Sequence, residues 1–276
     1  MCKAALALLM VVLLCLGGAA AEEMPLLQVH QINAGCADCY LLLCGDTALM
    51  IDCGTDQEHT KVAMLDYLDK AGFDKLDACI ITHYHKDHVG NINTVLGLHG
   101  DENTIVYGPH TNLPMEFLPL AAGHYRQMVN GDEITLGGMH IKCVGPKKIN
   151  GMGRINKDSL NMVLTYGERR FFFTGDYVRS KDVGEEYQDI LKDMDVLKFP
   201  HHGIQPWCIE PWLVKVLDPE IVLVPAAYGW SARDLMVKNG MRDALVLDIG
   251  KGHIVITTDG QRLDAHTHVE PGQFAQ

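Results

Sequence analysis

Three short apolar runs in this chain each end in residues that commonly bind metal ions. They read "ACIITHYHKDHVGN" from residue 78, "FFFTGD" from residue 171 and "VLKFPHHG" from residue 196. Apolar runs of this length are typical of buried strands, and in layered α/β folds ligands bind beyond the carboxyl ends of strands. The fold must therefore bring three strand ends to one edge, where their polar side chains converge.

The first run carries the densest cluster of candidate ligands. His83 and His85 stand two residues apart and can share one ion, whereas Asp87 and His88 can reach a second ion. Imidazole nitrogens and carboxylate oxygens are the usual ligands of zinc and related divalent ions. A solvated polar loop is the alternative interpretation, but it does not explain why two other runs end in similar residues.

The second and third runs supply the remaining candidates. Asp176 ends the second run, where its carboxylate is placed to bridge two ions, and the third run ends at His201 and His202. The three runs together predict a centre for two divalent metal ions at one edge of a sheet.

The rest of the chain predicts one layered α/β domain. Its 276 residues, 47% of them hydrophobic, are enough for one large domain with a substantial core. Apolar runs between turn signals predict strands at 26–32, 39–43, 48–51, 78–81, 104–107, 141–144, 161–165, 170–173, 196–199, 221–224, 244–247 and 253–257. Helical patterns are found at 59–70, 91–98, 185–192, 210–216 and 232–238.

The first 21 residues differ from the rest. A positively charged start, a long apolar run and small residues at Ala19 and Ala21 predict a signal peptide that is cleaved before Glu22. Residues 22–276 would then form the mature domain, secreted or extracytoplasmic and without stable membrane association. An uncleaved segment, which would anchor the protein in the membrane, is the alternative.

Net charge limits the partners of the protein. The formal net charge of −12 disfavours nucleic acid and anionic membranes. The stretch from Lys142 to Lys157 is an exception, because it contains five basic residues and no acidic one. It predicts a rim for an anionic substrate, with a solvated charge run as the alternative.

Seven of the nine cysteines follow the signal segment. Cys36 and Cys39 are spaced as a CxxC pair, but no second pair completes a zinc site. The remaining cysteines in strand-like runs are predicted to be buried small hydrophobic residues. They are Cys44, Cys53, Cys79 and Cys143.

In this order, the motifs resemble the metallo-β-lactamase superfamily and, more narrowly, the extracellular hydrolase domain of ComEC competence proteins. The segment "VHQINAGCADCYLLLCGDTALMIDCG" is similar to that group's first hairpin and D-x-G turn, and "NKDSLNMVLTYGERRFFFTGD" to its N-x-x-S-L segment. The resemblance runs from about His30 to Gly260. It implies a single domain of α/β class, a four-layer αββα sandwich.

The resemblance also implies roles for individual residues. The implied metal ligands are His83, His85, Asp87, His88, Asp176 and His201, with His202 as the alternative to His201. The implied catalytic residues are Asp87, which orients the nucleophile, Asn156 and Ser159, which would bond a substrate oxygen or cap a loop, and His202.

The chain departs from the family pattern at several positions. Asn156 and Ser159 stand in the stretch where many members have another histidine. His140 lies nearby in sequence, but its context "MHIKCV" predicts a residue of the sheet. Asn33 replaces an aspartate that is usual in the ComEC-like group, and the segment after the last histidines, 204–207, lacks the usual serines and threonines.

These implications lead to one hypothesis with two alternatives. Two divalent ions, zinc by default and manganese as the alternative, would activate a hydroxide for attack on a phosphoester of a small or polymeric substrate, as in a phosphodiesterase or nuclease. A hydrolase of a lactam, lactone or thioester bond is the first alternative, because the fold does not choose among these bonds. A non-catalytic metal-binding protein is the second. The sequence leaves the oligomeric state open.

Overall fold

The computed structural model describes residues 24–111, 114, 124–179, 181–183 and 185–275, so that the predicted signal segment lies outside the described residues. The strands are β1 (Leu27–Gln31), β2 (Cys39–Cys44), β3 (Thr47–Cys53), β4 (Ala78–Ile80), β5 (Ile105–Gly108), β6 (Tyr125–Gln127), β7 (Glu133–Leu136), β8 (Met139–Gly145), β9 (Asn161–Tyr166), β10 (Arg169–Phe173), β11 (Val196–Lys198), β12 (Ile221–Val224), β13 (Leu245–Asp248), β14 (His253–Thr258) and β15 (Leu263–Val269). The α-helices are α1 (Glu58–Lys70), α2 (Lys86–Val89), α3 (Ile92–His99), α4 (Gln188–Leu191), α5 (Pro211–Leu217) and α6 (Gly229–Lys238).

The strands form two mixed sheets. The first has the order β15-β14-β1-β2-β3-β4-β5-β6, and the second has the order β13-β12-β11-β10-β9-β8-β7. Strands β3 to β6 run parallel in the first sheet, as do β10 to β13 in the second. The parallel parts place the ends of β4, β10 and β11, which precede the three candidate motifs, on the same side of their sheets.

Both sheets are covered on both faces, which explains why their strands read as continuous apolar runs. In β2, Leu41 and Leu43 point towards helices α1 and α3, whereas Tyr40 and Leu42 point towards the second sheet. A third apolar cluster joins the second sheet to helices α5 and α6. Three clusters between four layers are the predicted αββα sandwich in a single α/β domain.

Every predicted strand and every predicted long helix corresponds to an observed element, although the helix at 185–192 begins as a 3-10 turn, Glu185–Tyr187, before α4. Strands β6, β7 and β15 were not predicted. Within the described residues, no helix combines the length and apolar composition needed to cross a membrane.

Candidate metal centre

The three strand ends meet at one edge of the two packed sheets. The loop after β4 brings His83 and the short helix α2, with His88, to this point, and β10 brings Asp176. Strand β11 leads into the 3-10 turn His201–Gly203. His83, His88, Asp176 and His202 are each no more than 1% exposed, so the centre is a buried cluster of ligand-type side chains.

Asp176 lies at the middle of this cluster. Its Oδ1 is 3.1 Å from Nε2 of His88 and 3.5 Å from Nε2 of His202. Its Oδ2 is 3.7 Å from Nε2 of both His83 and His201. Each oxygen of one carboxylate therefore faces two imidazole nitrogens.

The chemistry of the cluster fits divalent cations. Among the described residues, both carboxylate oxygens of Asp176 and Nε2 of His88 are buried without a hydrogen-bond partner, an arrangement that is rare unless an ion satisfies such atoms. Two groups of side chains have ligand atoms within 4.8 Å of one another. One group is Asp38, His88, Asp176 and His202, and the other is His83, His85 and Asp176.

Carboxylates behind the histidines fix which nitrogen faces Asp176. Nδ1 of His88 donates to Asp52 at 2.8 Å, and Nδ1 of His202 donates to Asp38 at 3.0 Å. Because an ionised carboxylate only accepts hydrogen bonds, both imidazoles carry a proton on Nδ1, and Nε2 is the nitrogen that would bind a metal ion once it has lost its own proton. This is the common arrangement behind metal-bound histidines.

A buried lysine holds one of these carboxylates. Lys198 on β11 is 2% exposed; its Nζ contacts Asp38 and donates to the carbonyl of Gly175 at 2.6 Å. Since a buried charge is costly without a partner, Lys198 and Asp38 stabilise each other directly behind the metal centre.

The acidic groups shift the pKa values of the histidines. Burial alone would lower the pKa of His88 and of His202, but Asp176 and its acidic neighbours raise the pKa of His88 well above its ordinary value and that of His202 to about 9. Burial lowers the pKa of His83 well below its ordinary value, although Asp176 opposes the shift. The negative charge of Asp176 and its acidic neighbours therefore favours the binding of a cation at this site.

The remaining predicted site residues lie around this cluster. Nδ1 of His85 is 3.0 Å from Nε2 of His83. Oδ2 of Asp87 is 3.1 Å from Nε2 of His202. Asn156 has its Nδ2 3.1 Å from Nε2 of His201.

Ser159 lies behind the centre, where it is 1% exposed. Its Oγ accepts a hydrogen bond from the backbone N–H of Asp176 at 3.0 Å and lies 3.4 Å from Nδ1 of His83. His140, expected to be a sheet residue, lies on β8 with Nε2 3.1 Å from Glu133.

Local backbone geometry holds the ligand residues in place. His201 and His202 have φ values of 51° and Gly203 has 79°, so that three successive residues lie in the left-handed region, which is costly for residues other than glycine. Gly175 has φ of 53°, and a Cβ there would lie 2.7 Å from Cβ of Ser159. Glycine is therefore required immediately before Asp176.

Basic and aromatic residues line one side of the centre. Tyr177 follows Asp176, and its ring lies 5.9 Å from Nζ of Lys157 and 5.6 Å from Cζ of Arg179. The basic loop before Lys157 is held by Asp158, whose carboxylate accepts from the N–H groups of residues 150, 151 and 153. Lys147, Lys148, Arg154 and Lys157 are exposed on it. Lys142, in contrast, pairs with Glu133 on the sheet.

The cysteines are free thiols in the described residues. Cys36 is exposed and Cys39 is buried, so the CxxC pair does not present two thiols to one ion. As predicted, Cys44, Cys53, Cys79 and Cys143 are buried.

Three residues behind the centre were not predicted from the sequence. Asp38, Asp52 and Lys198 are polar residues inside or beside apolar strands. A lone charge in such a run signals a buried ion that needs a partner, which is the one local sign that could have pointed to them.

Comparisons with known proteins agree with the geometry. A sequence profile of the Metallo-beta-lactamase superfamily matches residues 34–227. ComE operon protein 3 of Bacillus subtilis (strain 168) is 23% identical over 170 residues, which cover 59% of this chain and 21% of that protein. The metallo-beta-lactamase fold-containing protein ST1585 of Sulfurisphaera tokodaii is 24% identical over 253 residues, which cover 78% of this chain and 94% of that protein.

Among solved structures, the metallo-beta-lactamase fold protein YhfI from Bacillus subtilis superimposes with a TM-score of 0.53 at 18% identity, covering 81% of this chain and 95% of that chain. This similarity supports the fold. The chain spans about a fifth of ComE operon protein 3, 21% of its length, and the match supports membership of the ComEC-like group. On the profile match, the chain belongs to the metallo-beta-lactamase superfamily, whose members are generally metal-dependent hydrolases.

Proposed function

We propose that the protein hydrolyses phosphodiesters with two divalent metal ions, zinc by default and manganese as the alternative. The observation that carries the proposal is Asp176, whose two oxygens each face two histidine nitrogens and have no hydrogen-bond partner among the described residues. A carboxylate placed in this way would help to hold two ions, which would stabilise the charge that develops during displacement at phosphorus.

In this proposal, His201 and His202 would bind different ions. His83, His85, His201 and Asp176 would hold one ion, and Asp87, His88, His202 and Asp176 would hold the other. In this assignment His201 serves where many superfamily members use a histidine earlier in the chain. Its support is that Nε2 of His201 and Nε2 of His202 approach different oxygens of Asp176.

Asp38 is assigned to positioning, although its oxygen lies within 4.8 Å of the other ligand atoms of its group. It contacts Nδ1 of His202, on the side of the ring away from Asp176, and it is already paired with Lys198. Asp52 has the same relation to His88. Ser159, buried behind His83, is likewise a positioning residue in this proposal.

When bound, divalent ions lower the pKa of a coordinated water and polarise a phosphoryl oxygen. Asp87 is the chain's residue for orienting the attacking water, because its side chain is 36% exposed and its Oδ2 lies 3.1 Å from Nε2 of His202, at the metal centre. Burial raises the pKa of Asp87, but the hydrogen bond from His202 and the charge of His88 outweigh burial and lower it. Asp87 therefore remains an ionised acceptor at neutral pH.

The reaction is a hydrolysis in which atoms balance without a further reactant. The water oxygen bonds to phosphorus, the bond from phosphorus to the leaving oxygen breaks, and one water proton passes by way of Asp87 to solvent or to the leaving oxygen. Lys157 and Arg179 are placed to attract the anionic phosphate, since both lie beside Tyr177, the residue after Asp176. Asn156 has its Nδ2 3.1 Å from Nε2 of His201, so it is placed to donate to a phosphate oxygen when that nitrogen binds an ion.

The test combines metal content with activity. The mature chain is reconstituted with zinc or manganese, its metal content is measured by elemental analysis, and hydrolysis of bis(p-nitrophenyl) phosphate is followed by absorbance. We expect about two ions per chain and a loss of at least about a hundredfold in kcat/KM for Asp87→Ala. Asp66→Asn, on the exposed face of α1, is the control and should retain activity.

Two outcomes would overturn the proposal. Bound metal with no phosphodiesterase activity would favour hydrolysis of another bond, which lactam, lactone and thioester substrates would then identify. A chain that binds no metal after reconstitution would contradict the enzyme hypothesis itself.

We also propose that the chain is exported and that its first 21 residues are removed. This rests on the charged start, the apolar run and the small residues before Glu22. Mass spectrometry of the protein from the producing cells should show Glu22 as the first residue, whereas an intact start would contradict cleavage.

A further inference from the structure

Large apolar side chains are exposed on the segments around the metal centre. Trp207 is 61% exposed and Trp230 is 70% exposed, and Ile204, Tyr228 and Met152 are each more than a third exposed. Scattered exposed apolar residues need no explanation, but a group of them beside a functional site marks a binding surface.

Two adjoining segments carry most of these side chains. Ile204 and Trp207 follow directly after His201 and His202 in the chain, and helix α6, which carries Trp230, packs against the turn Pro206–Cys208. Ser231 of the same helix donates to the carbonyl of Gly203. We name Ile204, Trp207, Tyr228 and Trp230 the aromatic track.

The aromatic track leads from the last metal ligands to a cleft. A Cβ on Gly203 would lie 3.4 Å from Cβ of Tyr228, so that the beginning of α6 lies against the turn that carries the ligands. Trp230 also lines a cleft of about 600 Å³, whose other lining side chains are Val237 and the charged residues Arg233, Asp234, Asp248 and Lys251. The apolar surface on this side of the metal centre is therefore that of the exposed side chains of the aromatic track.

The aromatic track is joined to the basic side of the centre. A guanidinium nitrogen of Arg179 donates to the carbonyl of Trp207 at 2.7 Å, and the same guanidinium lies beside Tyr177. Positive charge for a phosphate and apolar surface for an attached group are therefore adjacent. A ligand that complements both is an anion with a large apolar substituent.

We propose that the substrate is an amphiphilic phosphodiester, in which one ester group is a long alkyl chain that lies along the aromatic track. This inference rests on the proposed phosphodiesterase function and names its substrate class. A polyanionic substrate is a poorer match, because the net charge of the protein is −12 and the aromatic track adds apolar surface where a polymer of phosphates would need cations.

The experiment uses alkyl p-nitrophenyl phosphates with methyl, butyl and octyl groups. The metal-loaded protein is assayed below the concentration at which each ester forms micelles. In every case water adds to phosphorus, and p-nitrophenolate leaves with the electrons of the broken bond. Burial of methylene groups on the aromatic track should raise kcat/KM at least about tenfold from the methyl to the octyl ester.

The variants Trp207→Ala and Trp230→Ala should each lose most of this dependence on chain length. Trp212→Ala is the matched control, because Trp212 is a half-exposed indole on α5 outside the aromatic track, and it should keep the dependence. Size-exclusion chromatography of all variants shows whether the surface instead joins two copies of the chain.

The outcomes separate the two proposals. If no ester is hydrolysed, the proposed function fails and this inference fails with it. If the methyl and octyl esters react equally well, the phosphodiesterase function stands and the amphiphilic substrate is wrong. If all esters react at equal rates and Trp207→Ala dissociates a dimer, the aromatic track is an interface between two copies of the chain and not a substrate-binding surface.

Discussion

Replacing Lys198 by methionine tests how far the metal centre depends on one buried ion pair. Methionine keeps most of the length and volume of the side chain but removes its charge. Asp38 would then lose its cationic partner, and the carbonyl of Gly175 would lose the donor that lies at 2.6 Å. Asp38 is 1% exposed and Lys198 is 2% exposed, so water does not readily replace the lysine.

The expected size of the effect follows from these contacts. Removing one partner of a buried ion pair costs about 3–5 kcal/mol, since the other charge is left uncompensated. We therefore expect Lys198→Met to lower the free energy of unfolding by about 3–5 kcal/mol. Metal affinity should fall about 10–100-fold, because Asp38 would no longer hold the ring of His202 as firmly.

The assay is urea denaturation of the metal-free protein, followed by calorimetric titration with zinc. Lys238→Met is the control, because Lys238 forms an exposed pair with Asp234 one turn away and should change stability by less than about 1 kcal/mol. The double variant Asp38→Asn with Lys198→Met removes both charges and should be more stable than Lys198→Met alone by about 2 kcal/mol.

The reasoning would be refuted if Lys198→Met and Lys238→Met had the same small effect. It would also be refuted if the double variant were destabilised by the sum of the single effects, since additive effects mean that the two residues do not interact.

Three further predictions concern stability. Burial lowers the pKa of His30 to about 3. Below pH 6.5 the unfolded chain therefore binds a proton that the folded protein excludes. The free energy of unfolding should decrease as the pH is lowered, by about 2 kcal/mol at pH 5. In urea denaturation, His30→Gln should lose less free energy of unfolding between pH 7 and pH 5 than the wild type, by about 2 kcal/mol. An equal loss in both proteins would contradict the burial argument. Gly175→Ala should cost about 2–4 kcal/mol, because its Cβ would meet Ser159 and its φ is positive. Gly240→Ala is the control, because φ of Gly240 is also positive but a Cβ there would meet nothing within 4 Å. It should cost about 1 kcal/mol. Equal costs for the two variants would show that contact with Ser159 does not destabilise Gly175→Ala. Removing metal with a chelator should lower the melting temperature, and zinc should restore it; an unchanged melting temperature would argue against a buried metal centre.

The fold could be predicted from the sequence wherever strands are covered on both faces. Continuous apolar runs marked β2, β3, β9 to β12 and β14, and the predicted layers were confirmed. Strands β6, β7 and β15 were missed, because at least half of their residues are exposed or half-buried. Their strand pairing is set by neighbours in the sheet, and no apolar run identifies it in the sequence.

The site could be predicted only as far as ligand types cluster along the chain. The motif from His83 to His88 and the strand ends at Asp176 and His201 were visible, and the structure brings them together. Asp38 could not be linked to Lys198, because the two residues are far apart in sequence and meet through the packing of two sheets. Which of the adjacent histidines approaches which oxygen of Asp176 depends on left-handed backbone angles that the sequence does not display.

Those angles have a consequence for how the ions bind. In our assignment the turn of His201, His202 and Gly203 serves two ions with successive side chains, and two non-glycine residues remain in the left-handed region at a cost of about 1–3 kcal/mol each. The packing of the fold already holds these angles, so an ion at either histidine would meet a side chain whose position is set in advance. The strain of the turn is thus offset by folding and not by metal binding, and the two ligand nitrogens are prepared for ions before any ion arrives.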